Sequence, residues 1–517
     1  MPVMDILPPL LLCRDFWSLA FGFLVITYAV YNIINNLFLS PLSRFPGPKL
    51  WAISRIPSQL SVLRGHSHLD ISRLHEVYGP VVRIGPNELV FNTPAAFRDI
   101  YGSRPGQRTF LKDRNHYLPP ANGVDHLLCA VESGVHARQR RLLSYAFSDR
   151  ALKDQESLIT KYVDLLIDRL REHAVKDSDE HKTKVDIKSW MNYTMFDITG
   201  DLMFSESFNC LEESQLHPWI GLIFNSIKAL AIIGAVNQFP AISAILDKLI
   251  PRSVVQKGVD HFNLGCEKVD RRLEMGSDKP DFISVMLKNG LSKKDGQYGE
   301  DAKIMSRAEL HSNAFILIIA GSETSATVLS GCIYYLCRHP TVMDRLINEI
   351  RGAFSTDSDI NFNKTSTLTY LAAVIEESLR MYPPVVTGLA RVPPAGGETV
   401  DGYFVPEGTT VSCHHYACYR SSSNFALPNE FIAERWLRTD TQFDSDKKDV
   451  LQPFSLGPQS CLGKNLAYAE IRLILCKLLF HFDIELCPES VNWVDQEVYF
   501  LWDKPALMVN LIERVTL

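Results

Sequence analysis

The longest helical pattern in the sequence, residues 306–338, constrains the fold more than any other feature. Ser306 and Glu309 have the spacing of a capping box, and His339-Pro340 ends the pattern. A helix of this length, together with several shorter ones, predicts a mainly α fold with one large helical body. The shorter helical patterns lie at 69–79, 134–147, 151–173, 185–204 and 253–275.

Strand-like segments are short and few. Two runs within 81–92 join at a Gly-Pro pair, and others occur within 398–413. Residues 276–303 are rich in glycine and charge, which predicts a loop, and 437–452 form a polar stretch without periodicity. The expected fold class is therefore α+β, mainly α, with a small β-sheet region.

The beginning of the chain predicts a membrane anchor. From Phe16 to Ile34 there is no charged residue, and an apolar run of this length spans the hydrocarbon core of a bilayer. A cleaved signal peptide is the alternative, but the run is long for one and no clear small-residue cleavage site follows. We therefore expect one uncleaved transmembrane helix at about 16–34, within an anchor segment of residues 1–40.

The anchor is followed by a proline-rich hinge, residues 41–50, and then by the main body, residues 51–517. Pro41, Pro46 and Pro48 predict a stiff, extended tether. Basic residues within the hinge favour a body on the cytosolic side.

Charge and cysteine content limit the functions that this chain can have. It has 53 basic and 59 acidic residues, a formal net charge of −6, so nothing indicates nucleic-acid binding. Its 11 cysteines include no CxxC pair and no zinc-ligand spacing, which indicates a reducing compartment.

The apolar, aromatic-rich segment 214–245 fits a lid or a second membrane contact.

One cysteine stands apart from the others. Residues 454–470 read FSLGPQSCLGKNLAYAE, in which Gly457-Pro458 marks a turn and helical spacing begins at Leu462. Cys461 therefore lies at the N-terminal end of a helix, where free N–H groups and the helix macrodipole favour a thiolate. The alternative is a small buried cysteine at a packing turn.

The middle of the long helical pattern reads AGSETS, residues 320–325. Glycine inside a helix costs about 1 kcal/mol relative to alanine, and the neighbouring hydroxyl groups can bond back to carbonyls and bend the helix. Glu323 is an acid among apolar residues, which needs either a partner or a task. Two interpretations stay open at this point, a reactive site at a bend or a tight helix crossing beside an incidentally solvated Glu323.

A third pattern joins an acid to two arginines. Glu377 and Arg380 are three residues apart, so they share one face of a helix that ends at a Pro-Pro pair. The later segment FIAERW, residues 431–436, offers Arg435 as a second cation for Glu377. Most such pairs are surface salt bridges of little consequence, so this pattern alone is not specific.

Taken in order, AGSETS, the Glu377–Arg380 pair, FIAERW and FSLGPQSCLG resemble the four signatures of the cytochrome P450 family. The resemblance extends over essentially the whole chain. SRFPGPKLW (43–51), HARQRRLLSYAFS (136–148) and GKNLAYAEIRLIL (463–475) are most similar to fungal members of secondary metabolism, of the isotrichodermin-hydroxylase-like kind. The fold implied is the cytochrome P450 fold with an N-terminal transmembrane helix.

The resemblance implies a haem b cofactor, with Cys461 as the axial thiolate ligand of the haem iron. Glu323 and Thr324 are then the expected catalytic residues, which deliver protons to oxygen. By the same resemblance a structural network lies behind the haem, formed by Glu377, Arg380 and Arg435. The residues expected at the haem propionates are His136, Arg140, Arg391 and Gln459.

Three positions depart from the family pattern. Gln459 stands where the family usually has Arg or His, which removes one charged contact to a propionate. His136 replaces a tryptophan, and Ala433 replaces a proline. These changes bear on haem affinity more than on activity.

The expected activity is that of a haem-thiolate monooxygenase, which inserts one atom of O₂ into an apolar small molecule such as a terpenoid or polyketide. The chain has no flavin or nicotinamide fingerprint, so its electrons must come from an NADPH-cytochrome P450 reductase, with cytochrome b5 as a further candidate donor. NADPH therefore acts only through the reductase. The expected location is the endoplasmic reticulum membrane, with a single span, contact with membrane lipid and the catalytic domain in the cytosol.

Two other functions stay open on the sequence alone. An O₂-independent haem-thiolate isomerase or dehydratase has less need of Glu323 and Thr324, and a non-enzymatic membrane-tethered haem or lipid carrier would not need AGSETS and a thiolate together. The substrate pocket is expected within 101–130, 214–245, 313–324 and 385–391. Its expected bulky apolar residues are Phe110, Leu118, Phe224, Phe315, Val385 and Val386.

Overall fold

The structure is a computed structural model of the chain, and it describes residues 14–103, 106, 108–176, 182–239, 252–275, 281–289, 304–437 and 441–514. The α-helices are α1 (Arg14–Ile34), α2 (Lys49–Ile53), α3 (Ile56–Leu63), α4 (Ser67–Tyr78), α5 (Pro94–Tyr101), α6 (Ser133–Ser144), α7 (Asp149–Lys176), α8 (Ile187–Phe204), α9 (Cys210–Glu213), α10 (Pro218–Asn237), α11 (Arg252–Glu274), α12 (Phe282–Asn289), α13 (Arg307–Arg338), α14 (Pro340–Ala353), α15 (Phe362–Thr365), α16 (Thr369–Met381), α17 (His415–Tyr419) and α18 (Lys464–His481). The strands are β1 (Val81–Gly85), β2 (Glu88–Phe91), β3 (Leu111–Lys112), β4 (Lys182–Asp186), β5 (Arg391–Val392), β6 (Glu398–Val400), β7 (Tyr403–Val405), β8 (Thr410–Cys413), β9 (Phe482–Leu486), β10 (Val498–Tyr499), β11 (Leu501–Trp502) and β12 (Met508–Glu513).

The long helix α13 forms as the sequence predicts. Ser306 Oγ accepts a hydrogen bond from the N–H of Glu309, and the Glu309 carboxylate accepts one from the N–H of Ser306 at 2.9 Å. The helix contacts α8, α11, α16 and α18, and most of its residues are buried. A buried helix of this length organises the helical body around itself, which confirms the mainly α fold class.

Gly321 lies where α13 crosses α8. A Cβ added at Gly321 would lie 3.2 Å from Cγ2 and 3.3 Å from Oγ1 of Thr199 on α8. That spacing is tighter than ordinary van der Waals contact, so the glycine permits the close approach of the two helices. The tight crossing that the sequence allowed is therefore present, and the helix continues without interruption through this point.

The sheets are small, as expected. A five-stranded sheet has the order β1-β2-β8-β5-β3, in which β2 and β8 are parallel and the other pairs are antiparallel. A three-stranded sheet, β4-β12-β9, joins the C-terminal strand to the body, and two hairpins are β6-β7 and β10-β11. The five-stranded sheet has its own apolar core, separate from the helical one.

The N-terminal helix has the character of a membrane span. The segment Trp17–Leu39 has a mean hydropathy of 1.7 and none of it is buried against the protein. The helix α13 is also long and apolar enough to cross a membrane, but 67% of its most apolar window is buried inside the protein, so it is a core helix. Residues 1–13 of the expected anchor lie outside the described residues.

The hinge is not an extended tether. Pro41–Arg44 form a 3₁₀ turn, and Leu42 and Phe45 are buried in the core of the five-stranded sheet. The carbonyl of Pro46 accepts a hydrogen bond from the N–H of Arg83 at 2.8 Å. These contacts attach the hinge to the body, because its two apolar side chains gain more by burial than a free tether would.

Two boundaries differ from the sequence prediction. The helix α12 lies within 276–303, which was expected to be a loop, and its side chains Phe282, Ile283 and Met286 are buried in the helical core. Residues 276–280, 290–303 and the end of the segment 214–245, from 240 onward, lie outside the described residues. The pattern expected to be helical from 185 begins as strand β4, and α8 starts at Ile187.

Candidate active site

The loop that carries Cys461 is fixed by backbone contacts. Gly457 has φ +67°, and a Cβ added there would collide with the backbone carbonyl of Tyr101, so only glycine fits this turn. The N–H of Cys461 donates to the carbonyl of Phe454 at 2.7 Å, which closes the loop two residues before the Gly463 N-cap of α18. The sulfur is thereby held at the start of a buried helix.

The side chain of Cys461 is accessible to solvent, whereas the other described cysteines are buried or half-buried. Burial nevertheless raises the pKa of its thiol, while the backbone N–H of Gly463 and the charges of Arg140 and Lys464 act in the opposite direction. A side chain that is both accessible and desolvated lines an enclosed cleft instead of the outer surface. The neighbouring cations and N–H groups are those that stabilise a thiolate.

Arg140 reaches the same loop from α6, and His136 lies one helical turn earlier on that helix. Arg140 donates to the carbonyl of Ser460 and, at 3.2 Å, to its Oγ. Burial, followed by the charges of Lys112, Arg140 and Arg391, lowers the pKa of His136 to about 4. His136 is therefore a neutral imidazole at pH 7, and Arg140 places positive charge beside Cys461.

Arg391 lies on β5 directly opposite Lys112 on β3. Both side chains are 3% exposed. Arg391 donates to the hydroxyl of Tyr117 at 3.0 Å, and Lys112 donates to the carbonyl of Leu127 at 2.8 Å. Lys112 was not among the residues predicted from the sequence, because its position depends on a pairing between distant segments.

Gln459 has one atom that its surroundings do not satisfy. Its Oε1 is buried and accepts no hydrogen bond in the described part of the chain. Half a turn of the amide would present Nε2 at this place, a donor that an acidic ligand could use. The polar end of Gln459 is therefore left without a partner among the described residues.

On the long helix, accessible surface continues along one face as far as Thr324. Leu317 and Thr324 are half-buried and Ala320 is exposed, whereas every residue from 325 to 336 is buried. Spacings of three and four place these residues on one face. The hydroxyl of Thr324 donates to the carbonyl of Ala320 at 2.6 Å, one turn earlier. The stripe thus forms a short open wall that ends in a hydroxyl group.

Glu323 faces a different partner. Its Oε1 forms a buried ion pair with Lys504, which also donates to Oγ1 of Thr327, and its Oε2 is buried without a partner in the described residues. Burial lowers the pKa of Lys504, and the charge of Glu323 opposes this. Glu323 is therefore not an incidentally solvated acid, and its cation could not be identified from the sequence.

A second buried acid connects α13 to α18. Ser325 Oγ donates to Oε2 of Glu470 at 3.4 Å, and burial raises the pKa of that carboxyl to about 8. The contact places Thr324, the neighbour of Ser325, close to the helix that follows Cys461. Nothing in the sequence distinguishes Glu470 from the other polar residues of an amphipathic helix.

The structure brings Glu377, Arg380 and Arg435 together, fully buried. Arg380 donates to both carboxylate oxygens of Glu377, at 2.7 and 2.8 Å, and Arg435 donates to Oε1 at 3.1 Å. Trp436 Nε1 and the N–H of Ile432 complete the set at 2.9 and 2.8 Å. Burial disfavours the charged carboxylate, but the arginines outweigh it and the pKa of Glu377 lies below its usual value.

The expected pocket residues divide into two groups. Phe110 and Val386 are buried in the two cores, so they do not line an open pocket. Leu118 is exposed, and Phe315 and Val385 are half-buried. The side chain of Phe224 lies outside the described residues. The correction follows from sheet and core packing, which a sequence pattern does not reveal.

A family model described as Cytochrome P450 matches residues 45–511. The chain belongs to the cytochrome P450 family. It is 44% identical to the Cytochrome P450 monooxygenase astJ of Aspergillus oryzae, over 95% of each chain. It is also 42% identical to the averantin hydroxylase of Dothistroma septosporum, over 95% of this chain and 90% of the other. The trichothecene C-15 hydroxylase of Fusarium sporotrichioides is 42% identical over 95% of this chain and 96% of that one.

Cytochrome P450 proteins bind haem b and receive electrons from a partner reductase, and this chain is an oxidoreductase of the monooxygenase class. The site fits such a cofactor by its donor chemistry. An accessible sulfur stands beside cations that have no carboxylate within 4.0 Å in the described residues, and an amide lacks a partner nearby. A haem would offer its iron to the sulfur, and its two propionate carboxylates to the cations and the amide.

Proposed function

We propose that this protein is a membrane-anchored haem-thiolate monooxygenase that oxidises an apolar secondary metabolite of polyketide or terpenoid type. The observation that carries the proposal is the sulfur of Cys461, which is accessible yet desolvated at the start of α18. A bound haem would supply O₂ binding and activation. The remaining roles belong to residues of this chain.

Cys461 would bind the haem iron through its sulfur. The N–H of Gly463 and the charge of Arg140 favour its thiolate form. Arg140, Arg391 and His136 would hold the haem propionates, with Gln459 as a neutral donor. The buried network of Glu377, Arg380 and Arg435 positions the segment around α16 and does not contact the reacting atoms.

Thr324 and Glu323 are the proposed catalytic residues. The Thr324 hydroxyl ends the open wall on α13, where it can donate a proton to oxygen if it releases the carbonyl of Ala320. Glu323 is held through Oε1 by Lys504, which leaves Oε2 for proton exchange. Ala320, with only a methyl group, leaves space beside the hydroxyl.

The partners follow from the anchor and from the lack of a second redox cofactor motif. An NADPH-cytochrome P450 reductase supplies electrons, and cytochrome b5 is a second candidate donor. The unburied helix Trp17–Leu39 spans the endoplasmic reticulum membrane once and leaves the catalytic domain in the cytosol. The exposed apolar side chains Ile232 and Ile233 on α10 add a second contact with membrane lipid.

The relatives support the substrate class. One is named for hydroxylation of averantin and another for hydroxylation of a trichothecene at C-15. The apolar open wall of α13 and the half-buried Phe315 suit scaffolds of this size and polarity. Which carbon is oxidised is a property of pocket shape.

The test uses the full-length protein with a reductase, NADPH and ¹⁸O₂ on a panel of polyketide and terpenoid scaffolds that includes averantin and a trichothecene. A monooxygenase places one ¹⁸O atom in the product and consumes NADPH. Product formed without O₂ would instead establish an isomerase or dehydratase. Ligand binding without any turnover across the panel, together with no NADPH consumption, would favour the carrier.

A further inference from the structure

The segment before β12 places a lysine inside the protein. The side chain of Lys504 is 4% exposed, and it forms an ion pair with Oε1 of Glu323, whose side chain is 3% exposed. Lys504 also donates to Oγ1 of Thr327, one turn further along α13. A buried ammonium group is costly unless a negative charge and further acceptors surround it. Both of these acceptors lie on the helix that carries the Thr324 hydroxyl.

The ion pair uses one oxygen of the Glu323 carboxylate and leaves the other without a partner. The hydroxyl of Thr327 donates to the backbone carbonyl of Glu323 at 2.7 Å and lies 3.4 Å from Oε1, so it accepts from Lys504 beside that oxygen. Oε2 is buried and has no hydrogen-bond partner among the residues that the structure describes. A carboxylate held at one oxygen by a charge-assisted contact keeps its second oxygen in a fixed place. Lys504 therefore sets both the charge and the orientation of Glu323.

Lys504 ends a short segment, residues 497–504, which we call the strap. The middle of the strap is the hairpin β10-β11. The ring of Trp502 stacks on that of Tyr382 with centroids 4.5 Å apart, and its Nε1 donates to the carbonyl of Pro383 at 2.8 Å. A buried tryptophan whose N–H is satisfied fixes its own backbone, so Lys504, two residues later, is held against α13.

The outer end of the strap contacts helix α10. Lys228 Nζ lies 3.6 Å from a carboxylate oxygen of Glu497 and 3.8 Å from one of Asp503, and 4.3 Å from the centroid of the Tyr499 ring. The three charged side chains are about half exposed, so each ion pair is weak. The strap thus carries one lysine contact at the surface and one inside, and only the buried one involves an acid of the proposed site.

We propose that Lys504 is a positioning residue for proton delivery, which keeps Glu323 ionised and presents its Oε2 beside Thr324. This inference rests on the proposed catalytic roles of Glu323 and Thr324. The alternative is that Lys504 only secures the strap to α13. The two roles predict different results for the charge of Glu323 and for the fate of the electrons from NADPH.

The first measurement is the charge of Glu323, read by infrared difference spectroscopy on the full-length holoprotein at neutral pH. Lys504→Met removes the cation, and a buried carboxylate without a cation takes up a proton. The difference spectrum against the wild type should gain the carbonyl stretch of a protonated carboxylic acid, which Lys504→Met/Glu323→Gln should lack. Lys504→Arg, which keeps the charge, should show no such band. A Lys504→Met spectrum without the band would overturn the proposal.

The second measurement is the use of electrons, with reductase, NADPH and the panel compound that the wild type oxidises. In the coupled reaction one NADPH, one H⁺ and one O₂ give one hydroxylated product and one water, whereas without proton delivery they give one hydrogen peroxide. Proton delivery contributes on the order of 10²–10⁴-fold, so Lys504→Met should lower kcat roughly tenfold or more, with KM near the wild-type value. Peroxide per NADPH should rise, and Lys504→Arg should restore coupling.

Two matched controls separate positioning from general effects of losing a lysine. Lys477→Met removes another buried lysine, which pairs with Asp164 and Asp357, and Lys228→Met releases the outer end of the strap. Both controls should keep the wild-type ratio of product to peroxide. If Lys504→Met does not fold, Lys504→Gln, which keeps a donor for Thr327 without the charge, replaces it in both measurements. Equal uncoupling in Lys228→Met, or wild-type coupling in the Lys504 variant, would leave Lys504 as a structural contact.

The two measurements also separate this proposal from the proposed function. A wild type that lacks the thiolate-type band in its CO-difference spectrum, or that oxidises no compound, would remove the proposed function and with it the role of Lys504 in proton delivery. A normal band and normal product formation in the wild type, combined with unchanged coupling in Lys504→Met, would remove only the role of Lys504.

Discussion

Replacing Glu377 with glutamine removes the negative charge at the centre of the buried network. Arg435 would keep the carboxylate of Asp446 at 2.5 Å, whereas Arg380 would keep only backbone carbonyls as its oxygen acceptors. All four side chains have little or no contact with solvent, so water cannot compensate. Breaking a buried pair in this way costs about 3–5 kcal/mol, a large fraction of the roughly 5–15 kcal/mol that stabilises a typical domain.

The control is the same substitution at an exposed pair. Glu485 lies 2.7 Å from Lys182, and both side chains are about half exposed. Glu485→Gln should therefore cost only about 0–1 kcal/mol. The assay compares the haem-thiolate band per amount of protein and the urea midpoint followed by haem absorbance. A Glu377→Gln midpoint equal to that of Glu485→Gln would refute the reasoning, because it would show that the buried arginines do not need this charge.

Three further predictions concern oxygen chemistry, pH and the anchor. Thr324→Ala should bind haem and substrate but divert NADPH-derived electrons into peroxide, with product formation lowered on the order of 10²-fold; unchanged coupling between NADPH consumption and product would exclude Thr324 from proton delivery. Glu470 has a pKa raised by burial from 4.5 to about 8, so its contribution to wild-type stability falls as pH rises through that window. Glu470→Gln should be more stable than the wild type by at most ~5 kcal/mol toward pH 8, and by little near pH 4.5. An equal difference in stability at both pH values in thermal melts would contradict the raised pKa of Glu470. Removal of residues 1–34 should release the protein partly from membranes with its haem spectrum intact. Removal of residues 1–41 should also lower the stability of the protein, because the carbonyl of Asn36 accepts a hydrogen bond from Arg83 at 2.7 Å. Equal thermal midpoints for the two truncations would show that this contact is unimportant.

The helices were predictable where a clear apolar period runs for several turns. The pattern at 306–338 predicted α13 and its capping box, and the pattern at 151–173 predicted the centre of α7. In both helices the buried face can be identified from the periodicity of neighbouring residues alone. The helix α12 was missed, since a short apolar group inside a charged, glycine-rich segment gains its stability from the core and not from its own period. The stiff, extended tether predicted for the hinge is wrong for a similar reason, since the burial of Leu42 and Phe45 depends on a sheet built from distant strands.

The residues of the candidate site also differ in whether the local sequence could predict them. Cys461 and the Glu377–Arg380 pair could be found because the backbone places them within single local motifs. Lys504, the partner of Glu323, could not, since it lies in the irregular segment before β12 and contacts α13 only in the folded protein. Lys112 could not be predicted either, because it comes to lie opposite Arg391 only when β3 pairs with β5.

The most direct test of the account is the CO-difference spectrum of Cys461→Ala beside that of Cys476→Ala. Both cysteines belong to the loop and helix at 461–481, but Cys476 is fully buried in the core and has no accessible surface for a ligand. The account predicts that Cys461→Ala loses the thiolate-type band while Cys476→Ala keeps it. A thiolate-type band in Cys461→Ala would show that another residue binds the haem iron, and the proposed site would be wrong.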